Sequence, residues 1–382
     1  MNNILVRLWR RLPSVQQQTA CTIQLPHELI ANILRYLPPE SVIALALTCR
    51  ALFVQFFPRP APLSDGEKEI LLQYLERDFP KLYYCHDCIR LHKWRLIKSF
   101  DCTTVSLPPC WDRVGSKNLM TDYVPGHGLY IAYFFARLVM NRHFYGSAHG
   151  PSVKDMAVTQ PSGKALSEVG MSRSWRTKII NDNLYLHGKL LYRSLSKTKT
   201  NKSELLERFL QFVGHCLICP HLEPPSKYPP SVPIIPELVL EGETAGELGP
   251  TPGKTRSCTV CFTDYRIRVT WRDDAGCGMW RSGGDGWVIE VERWQRLGRC
   301  RSPHDSEWRN LMTPYLDRTA VQRKDVCAPG VIRREWMGAE AGPVEEDVAA
   351  LVPAIPSLTR YSVRSDSAVT DAHFRIGSRV EL

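Results

Sequence analysis

Residues 25–57, LPHELIANILRYLPPESVIALALTCRALFVQFF, contain two short helical patterns separated by Pro38 and Pro39. In the first pattern, apolar residues recur at helical spacing and form one stripe: Leu29, Ile30, Ile33, Leu34 and Leu37. The second pattern repeats the stripe with Val42, Leu45, Cys49 and Leu52 or Phe53. Pro38 stops the first helix, and Pro39 suits the first position of the next. Short helices with wide apolar faces are unstable alone in water, so they must dock on the rest of the chain or on a partner.

The order of these signals near the N-terminus resembles an F-box. The matching residues are Leu25-Pro26, Glu28-Leu29, Ile33-Leu34, Leu37-Pro38, Ser41, Leu45 and the run from Thr48 to Phe53. Periodicity alone would favour an ordinary core hairpin instead. The resemblance implies a surface that binds a Skp-type adaptor. We expect the contacts to come from Leu25, Pro26, Leu29, Ile33, Leu34, Leu37 and Leu45.

The composition is that of a globular chain. With 382 residues, of which 43% are hydrophobic, it is long enough for two or three domains. No apolar run approaches the roughly 20 residues that span a bilayer, so we expect no membrane association and a cytosolic or nuclear location, or both. The net charge of +10 permits acidic partners or nucleic acid, but no recognisable nucleic-acid-binding module accompanies it.

The predicted fold class is α+β, with a small helical F-box over 23–62 and a mainly antiparallel β domain with a few helices over 63–336. We expect disordered tails at 1–22 and 337–382, and a flexible insertion at 220–256 that is rich in Pro, Gly and Glu. Ser64 and Glu67 form a capping-box pattern. The helix behind it should bury one face and end before Pro80; that face comprises Ile70, Leu71, Tyr74 and Leu75.

Several segments have strand character. Residues 129–135, LYIAYFF, are dense in β-formers, and 189–193, KLLYR, also predict a strand. Residues 266–271, RIRVTW, and 287–291, WVIEV, flank a Gly-rich segment and predict an antiparallel hairpin. The polar, Ser-rich stretch 147–176 is expected to separate strands, and 204–213, ELLERFLQFV, fits a short helix or a strand equally.

Thirteen cysteines in an apparently intracellular chain favour metal or free thiols over disulfides. Three pairs have the CxxC spacing of zinc ligands: Cys85/Cys88, Cys216/Cys219 and Cys258/Cys261, with His92 and His221 as further candidates. The spacing allows Cys216/Cys219 to join Cys258/Cys261, and it equally allows Cys85/Cys88 to join Cys216/Cys219 or His221. The alternative is that they are buried free cysteines. We predict at least one structural zinc site, without a catalytic one.

The resemblance extends over about residues 22–310. A large group of fungal F-box proteins, largely uncharacterised after the F-box, is similar in a set of motifs: Cys85-x-x-Cys88-x-x-x-His92, MNRHFYG (140–146), Cys219-Pro220-His221, Cys258-x-x-Cys261 with Thr263-Asp264-Tyr265, and LG…SPHDSEW ending at Trp308. This implies a substrate-receptor subunit of an SCF-type cullin–RING ubiquitin ligase, bound to a Skp-type adaptor, through it to a cullin, and to an unknown protein substrate.

Two rival functions remain open at this point. One is a zinc-stabilised nucleic-acid-binding protein, and the other is an F-box scaffold that works outside a ligase. The chain has no P-loop, GxGxxG, GxSxG or HExxH motif, so we assign no catalytic residues and expect a protein that is not an enzyme.

Overall fold

The structure, a computed structural model, describes residues 25–48, 52–53, 62–98, 103–105, 109–110, 119–122, 129–166, 169–194, 218–219, 255–258, 260–272, 286–312 and 328–338. The predicted tails, apart from 337–338, therefore lie outside the described residues, as do segment 204–213 and the insertion up to residue 254.

The described N-terminal part, up to residue 78, is helical, and the rest is mainly β-strand with a few helices. The α-helices are α1 (His27–Tyr36), α2 (Pro39–Thr48), α3 (Asp65–Asp78), α4 (Tyr133–Tyr145), α5 (Ser306–Met312) and α6 (Val331–Met337). The strands are β1 (Leu82–Cys85), β2 (Arg90–Lys93), β3 (Leu96–Lys98), β4 (Thr103–Val105), β5 (Leu119–Asp122), β6 (Leu129–Ala132), β7 (Val158–Leu166), β8 (Val169–Ile180), β9 (Asn183–Ser194), β10 (Thr255–Ser257), β11 (Thr263–Arg272) and β12 (Gly286–Gly298). Two 3₁₀ turns cover Ser147–His149 and Val153–Met156. The α+β prediction is confirmed.

Helix α1 ends before Pro38 and α2 begins at Pro39, as the prolines predict, and the capping box at Ser64 is present. The Ser64 hydroxyl accepts from the Glu67 N–H at 3.3 Å, and the Glu67 carboxylate accepts from the Ser64 N–H at 2.8 Å. The buried faces of α2 and α3, however, are rotated from the predicted ones. The side chains that α2 and α3 bury against each other, together with Tyr84 of β1, are Ile43, Ala46, Leu71, Leu72 and Leu75.

The predicted face of α3 was therefore partly wrong. Ile70 and Tyr74 are exposed, and Leu72 is buried instead. Apolar residues lie on both flanks of this helix, so their spacing alone is compatible with burial of either face. The partner helix α2 decides which of them is covered.

A six-stranded antiparallel sheet in the order β10-β11-β12-β9-β8-β7 forms the centre of the β-rich part. The predicted hairpin is confirmed, with Ile267 opposite Val291 and Val269 opposite Ile289. The KLLYR segment lies in β9, as predicted. The last residues of the predicted insertion, Thr255 and Arg256, belong to β10.

Two expectations for this region were wrong. Residues 147–176 include the 3₁₀ turns, β7 and part of β8 instead of a spacer; in β8 the serines alternate with Met171 and Trp175, whose side chains are buried. The LYIAYFF run is a strand only to Ala132, and α4 starts at Tyr133. Because α4 is buried on most sides, its apolar residues do not show the one-sided period of a surface helix.

The main hydrophobic cluster brings α4 together with the sheet. Leu138 and Met140 of α4 belong to the same cluster as Trp175 of β8 and Trp308 of α5. Gly188 of β9 faces Trp175 so closely that a Cβ would lie 2.1 Å from the indole ring. No helix in the described part of the chain has the length and apolar character needed to cross a membrane.

Candidate functional site

The outer side of α1 carries a row of exposed apolar side chains. Leu25, Leu29 and Ile33 are 46%, 49% and 44% exposed, and Tyr36 continues the row at 89%. These four residues are called the α1 stripe below. On the opposite side of the helix, Ile30 is only 7% exposed. The molecule thus leaves a strongly apolar face open to solvent, which folding alone does not explain.

The other residues expected to contact an adaptor lie around this stripe. Pro26 is exposed directly before α1, and Leu34, Leu37 and Leu45 are half-buried. Tyr36, which the sequence analysis did not select, is the most exposed member of the row. Its position three residues after Ile33 places it on the same face of the helix, and this spacing could have identified it from the sequence.

A first cluster of metal-binding side chains forms at the β1–β2 hairpin. Cys85 ends β1, Cys88 lies in the turn, and His92 lies on β2 opposite Tyr83. Cys110, from a distant part of the chain, completes the group, and the four ligand atoms lie within 4.8 Å of one another. The Cys85 and Cys110 sulfurs are 3.7 Å apart, and the His92 Nε2 is 3.0 Å from the Cys88 sulfur and 3.4 Å from the Cys110 sulfur.

These spacings fit a tetrahedral zinc ion. Ligands at about 2.0–2.3 Å from a common centre lie roughly 3.5–3.8 Å from each other at tetrahedral angles. The donor set of three thiols and one imidazole is a common structural zinc set. The cluster is closed, since its four donors would complete the coordination shell without an open position.

The thiols of this cluster strongly affect one another's ionisation. A hydrogen bond from Cys88 lowers the pKa of Cys85, while the hydrogen bond to Cys85 and burial raise the pKa of Cys88. Burial and the nearby Cys85 also raise the pKa of Cys110. The group therefore holds one thiolate readily and resists a second. A divalent cation would offset the repulsion that opposes further ionisation.

A second cluster forms at the β10–β11 turn, where Cys258 and Cys261 meet Cys219. Their sulfurs lie within 4.8 Å of one another and all three residues are buried. The Cys258 sulfur accepts from the N–H groups of Val260 at 3.3 Å and Cys261 at 3.5 Å. Burial raises the pKa of the Cys261 thiol, and the neighbouring thiols add to the effect.

The structure shows which of the predicted cysteine pairs lie close to each other. Cys219 lies with Cys258 and Cys261, while Cys85 and Cys88 lie with His92 and Cys110. Cys216 and His221, the remaining predicted ligands, lie outside the described residues. Cys110 was missed, because it has no neighbouring cysteine or histidine at ligand spacing.

The aspartate of the Thr263-Asp264-Tyr265 motif has a structural role. Its buried carboxylate accepts from the Ser257 hydroxyl and from the N–H groups of Gly330 at 3.3 Å and Arg333 at 2.8 Å. It thereby caps the N-terminus of α6, which packs on the sheet through Ile332 and Trp336.

Comparison with known families identifies one segment of the chain. A family model described as F-box-like matches residues 22–54, which include α1, α2 and the α1 stripe. No curated protein and no solved structure matches the chain.

Proposed function

We propose that this protein is the substrate-receptor subunit of an SCF-type cullin–RING ubiquitin ligase. The F-box-like segment binds a Skp-type adaptor, which links the receptor to a cullin in the cytosol or nucleus. The β-rich domain holds a protein substrate, whose identity is unknown. The motifs after residue 62 resemble those of fungal F-box proteins, and on that resemblance we extend the same proposal to the rest of the chain.

The observation that carries this proposal is the α1 stripe within the F-box-like match. Leu25, Leu29 and Ile33 are nearly half exposed, although burying each such side chain stabilises by about 1.5–3 kcal/mol. An apolar row left open on a short helix is what a protein partner would cover.

The contacts of α2, the helix that follows the stripe, suit a receptor that positions its substrate. Helix α2 packs on α3, α3 packs on Tyr84 of β1, and the buried Glu76–Arg137 ion pair joins α3 to α4. A firm connection of this kind keeps the adaptor and the substrate at a fixed separation. The receptor then acts by raising the local concentration of substrate lysines near the ubiquitin-charged enzyme, without chemistry of its own.

In the proposed receptor, the two thiol clusters act as structural zinc sites. Cys85, Cys88, His92 and Cys110 would hold one ion, and Cys219, Cys258 and Cys261 would hold a second with a fourth ligand from Cys216 or His221. A zinc ion in each cluster would stabilise the β-hairpin turn that supplies the CxxC pair.

The test is co-purification with adaptor and cullin. The Leu29→Glu, Ile33→Glu variant should lose the adaptor while the β-rich domain keeps its thermal unfolding transition, because both side chains are exposed. The matched control is Ile70→Glu, Tyr74→Glu, which places the same charges on exposed apolar residues of α3 and should retain the adaptor. Retention of adaptor by the α1 variant would contradict the proposal.

The same pull-down separates the receptor from a scaffold that works outside a ligase. A receptor complex contains cullin at a constant ratio to adaptor, whereas a scaffold complex contains adaptor alone. Mass spectrometry of the wild-type complex measures that ratio.

A further inference from the structure

A basic cleft lies beside the first thiol cluster. It has a volume of about 630 Å³ and is lined by Lys81 before β1, the segment 93–96, Arg142 of α4 and residues within 147–155. Lys81, Lys93, Arg95 and Arg142 supply four cationic side chains, and Asp155 is the one carboxylate among the described residues that line it. The Asp155 carboxylate accepts from the Ser152 N–H at 2.7 Å and is thus committed to its own turn.

The arginine in this cleft is fixed in place by its own loop. The Arg142 Nη1 donates to the Ser147 carbonyl at 2.8 Å and to the Gly150 carbonyl at 3.3 Å. Gly150 packs on α4 so closely that a Cβ would lie 1.8 Å from the Leu138 carbonyl oxygen. The Arg142 guanidinium and the loop carbonyls that accept from it are therefore both fixed in position.

Part of the Arg142 guanidinium remains available. Its Nε and Nη2 donate to no group among the described residues, although Nη1 is fully used. Two adjacent guanidinium donors match the two oxygens of a carboxylate or of a phosphate. Arg142, the third residue of the MNRHFYG motif, is thus a pre-positioned anion receptor.

Two lysines complete a cationic environment for an anionic ligand. The Lys81 ammonium lies 5.6 Å from the centre of the Trp94 ring, and neither Lys81 nor Lys93 forms an ion pair within the described part of the chain. Lys93 directly follows His92, so the first thiol cluster fixes the strand that presents it.

We propose that this cleft binds an acidic segment of a protein, through carboxylate or phosphate groups at Arg142, Lys81 and Lys93. The inference rests on the proposed receptor function and names the chemistry of the substrate it would hold. The volume of about 630 Å³ suits a few side chains of a peptide. An extended nucleic-acid backbone would instead require cations distributed along an open groove.

The experiment measures peptide binding to the full-length protein in complex with its adaptor, by fluorescence anisotropy. The probes are a labelled peptide with glutamate at alternate positions, its phosphoserine counterpart, its glutamine counterpart and a single-stranded DNA of equal length. Both anionic peptides should bind and the glutamine peptide should not. Tighter binding of the phosphoserine peptide would identify phosphate as the source of the charge, and equal binding would identify carboxylates as sufficient.

Charge reversal locates the binding in the cleft. Lys81→Glu, Lys93→Glu should weaken binding of the anionic peptides by about tenfold or more. The control Arg90→Glu, Arg334→Glu makes the same charge change at exposed positions that do not line the cleft and should stay within about twofold. Arg142→Lys keeps the charge and should still weaken binding, because lysine cannot pair with two oxygens at once.

Three results would overturn the cleft proposal. They are equal weakening by the cleft and control variants, no binding of either anionic peptide at about 1 mM, and DNA binding that is as tight and as sensitive to the cleft variant as peptide binding. Adaptor co-purification is measured on the same samples. Loss of adaptor binding would count against the receptor function, whereas a peptide failure with adaptor retained would count only against the cleft.

Discussion

Arg137 of α4 and Glu76 of α3 form a doubly hydrogen-bonded ion pair in the interior of the protein. The Arg137 Nε lies 2.9 Å from one Glu76 oxygen, and Nη2 lies 2.5 Å from the other. The first oxygen also accepts from the Tyr84 N–H at 3.0 Å and from the Asn141 side chain at 2.8 Å. A carboxylate so fully satisfied offsets much of the cost of burying both charges.

Breaking this pair should strongly destabilise the fold. Glu76→Gln removes the negative charge and leaves Arg137 buried without a counter-ion, which typically costs about 3–5 kcal/mol. Guanidinium unfolding of the purified protein measures the change in the free energy of unfolding. The control is Asp78→Asn, which breaks the exposed Arg77–Asp78 pair two residues away and should change stability by less than about 1 kcal/mol. Equal effects would show that the buried pair is no more important than a surface one.

Metal content should identify Cys110 as a ligand. Elemental analysis should find two zinc ions per wild-type chain, one for each thiol cluster. Cys110→Ser and Cys261→Ser should each remove one ion and lower the thermal unfolding midpoint. Cys300→Ser is the control, since Cys300 is buried in the same hydrophobic cluster but belongs to neither metal group. Unchanged zinc in the Cys110 variant would exclude it from the site.

Acid should destabilise the protein partly through His187. Burial lowers the pKa of this imidazole from 6.5, and the nearby Arg176, Lys189 and Lys178 lower it further, while Glu292 opposes them. The unfolded chain therefore takes up a proton below about pH 6.5 that the folded chain resists, so this stability is present above pH 6.5 and is lost as the pH falls toward the folded pKa.

The measurement compares His187→Gln with wild type at neutral and mildly acidic pH. The variant should lose less unfolding free energy on acidification, by at most about 1.4 kcal/mol per pH unit. The difference between the two pH values cancels any constant packing defect of the substitution. Parallel pH profiles would show that His187 does not contribute.

Loss of the Asp264 cap should release α6. Asp264→Ala removes the acceptor for the N–H groups of Gly330 and Arg333, at an expected cost of about 1–2 kcal/mol. Limited proteolysis should then cut earlier near residues 328–338 than in wild type. Thr270→Ala, on the same strand and away from α6, is the control and should leave the cutting rate unchanged.

Local signals in the sequence predicted much of the architecture, and contacts between distant segments account for what it missed. The paired prolines placed α1 and α2, Ser64 and Glu67 placed the start of α3, and strict alternation placed the β11–β12 hairpin. In each case the deciding residues are within a few positions of one another.

The failures involve residues that only the tertiary structure brings together. Glu76 and Arg137 are separated by many elements, so no spacing links them, and Cys110 joins its cluster from outside any motif. The buried α4 was taken in part for strand, because its surroundings are apolar on several sides and its aromatic residues suggest β structure. Ile70 and Tyr74 were assigned to the covered face, because the sequence does not show where α2 lies.

Strand β1 has a consequence for how this protein can be divided. Tyr84 belongs to the hydrophobic cluster of α2 and α3, whereas its neighbours Tyr83 and Cys85 belong to the cluster around α4 and the first thiol group. Three consecutive residues of β1 thus contribute to both hydrophobic clusters. A recombinant fragment cut after residue 62 would lose the cover over Ile43 and Ala46, so a soluble adaptor-binding fragment must extend at least through this strand, which ends at Cys85, the first ligand of the thiol group.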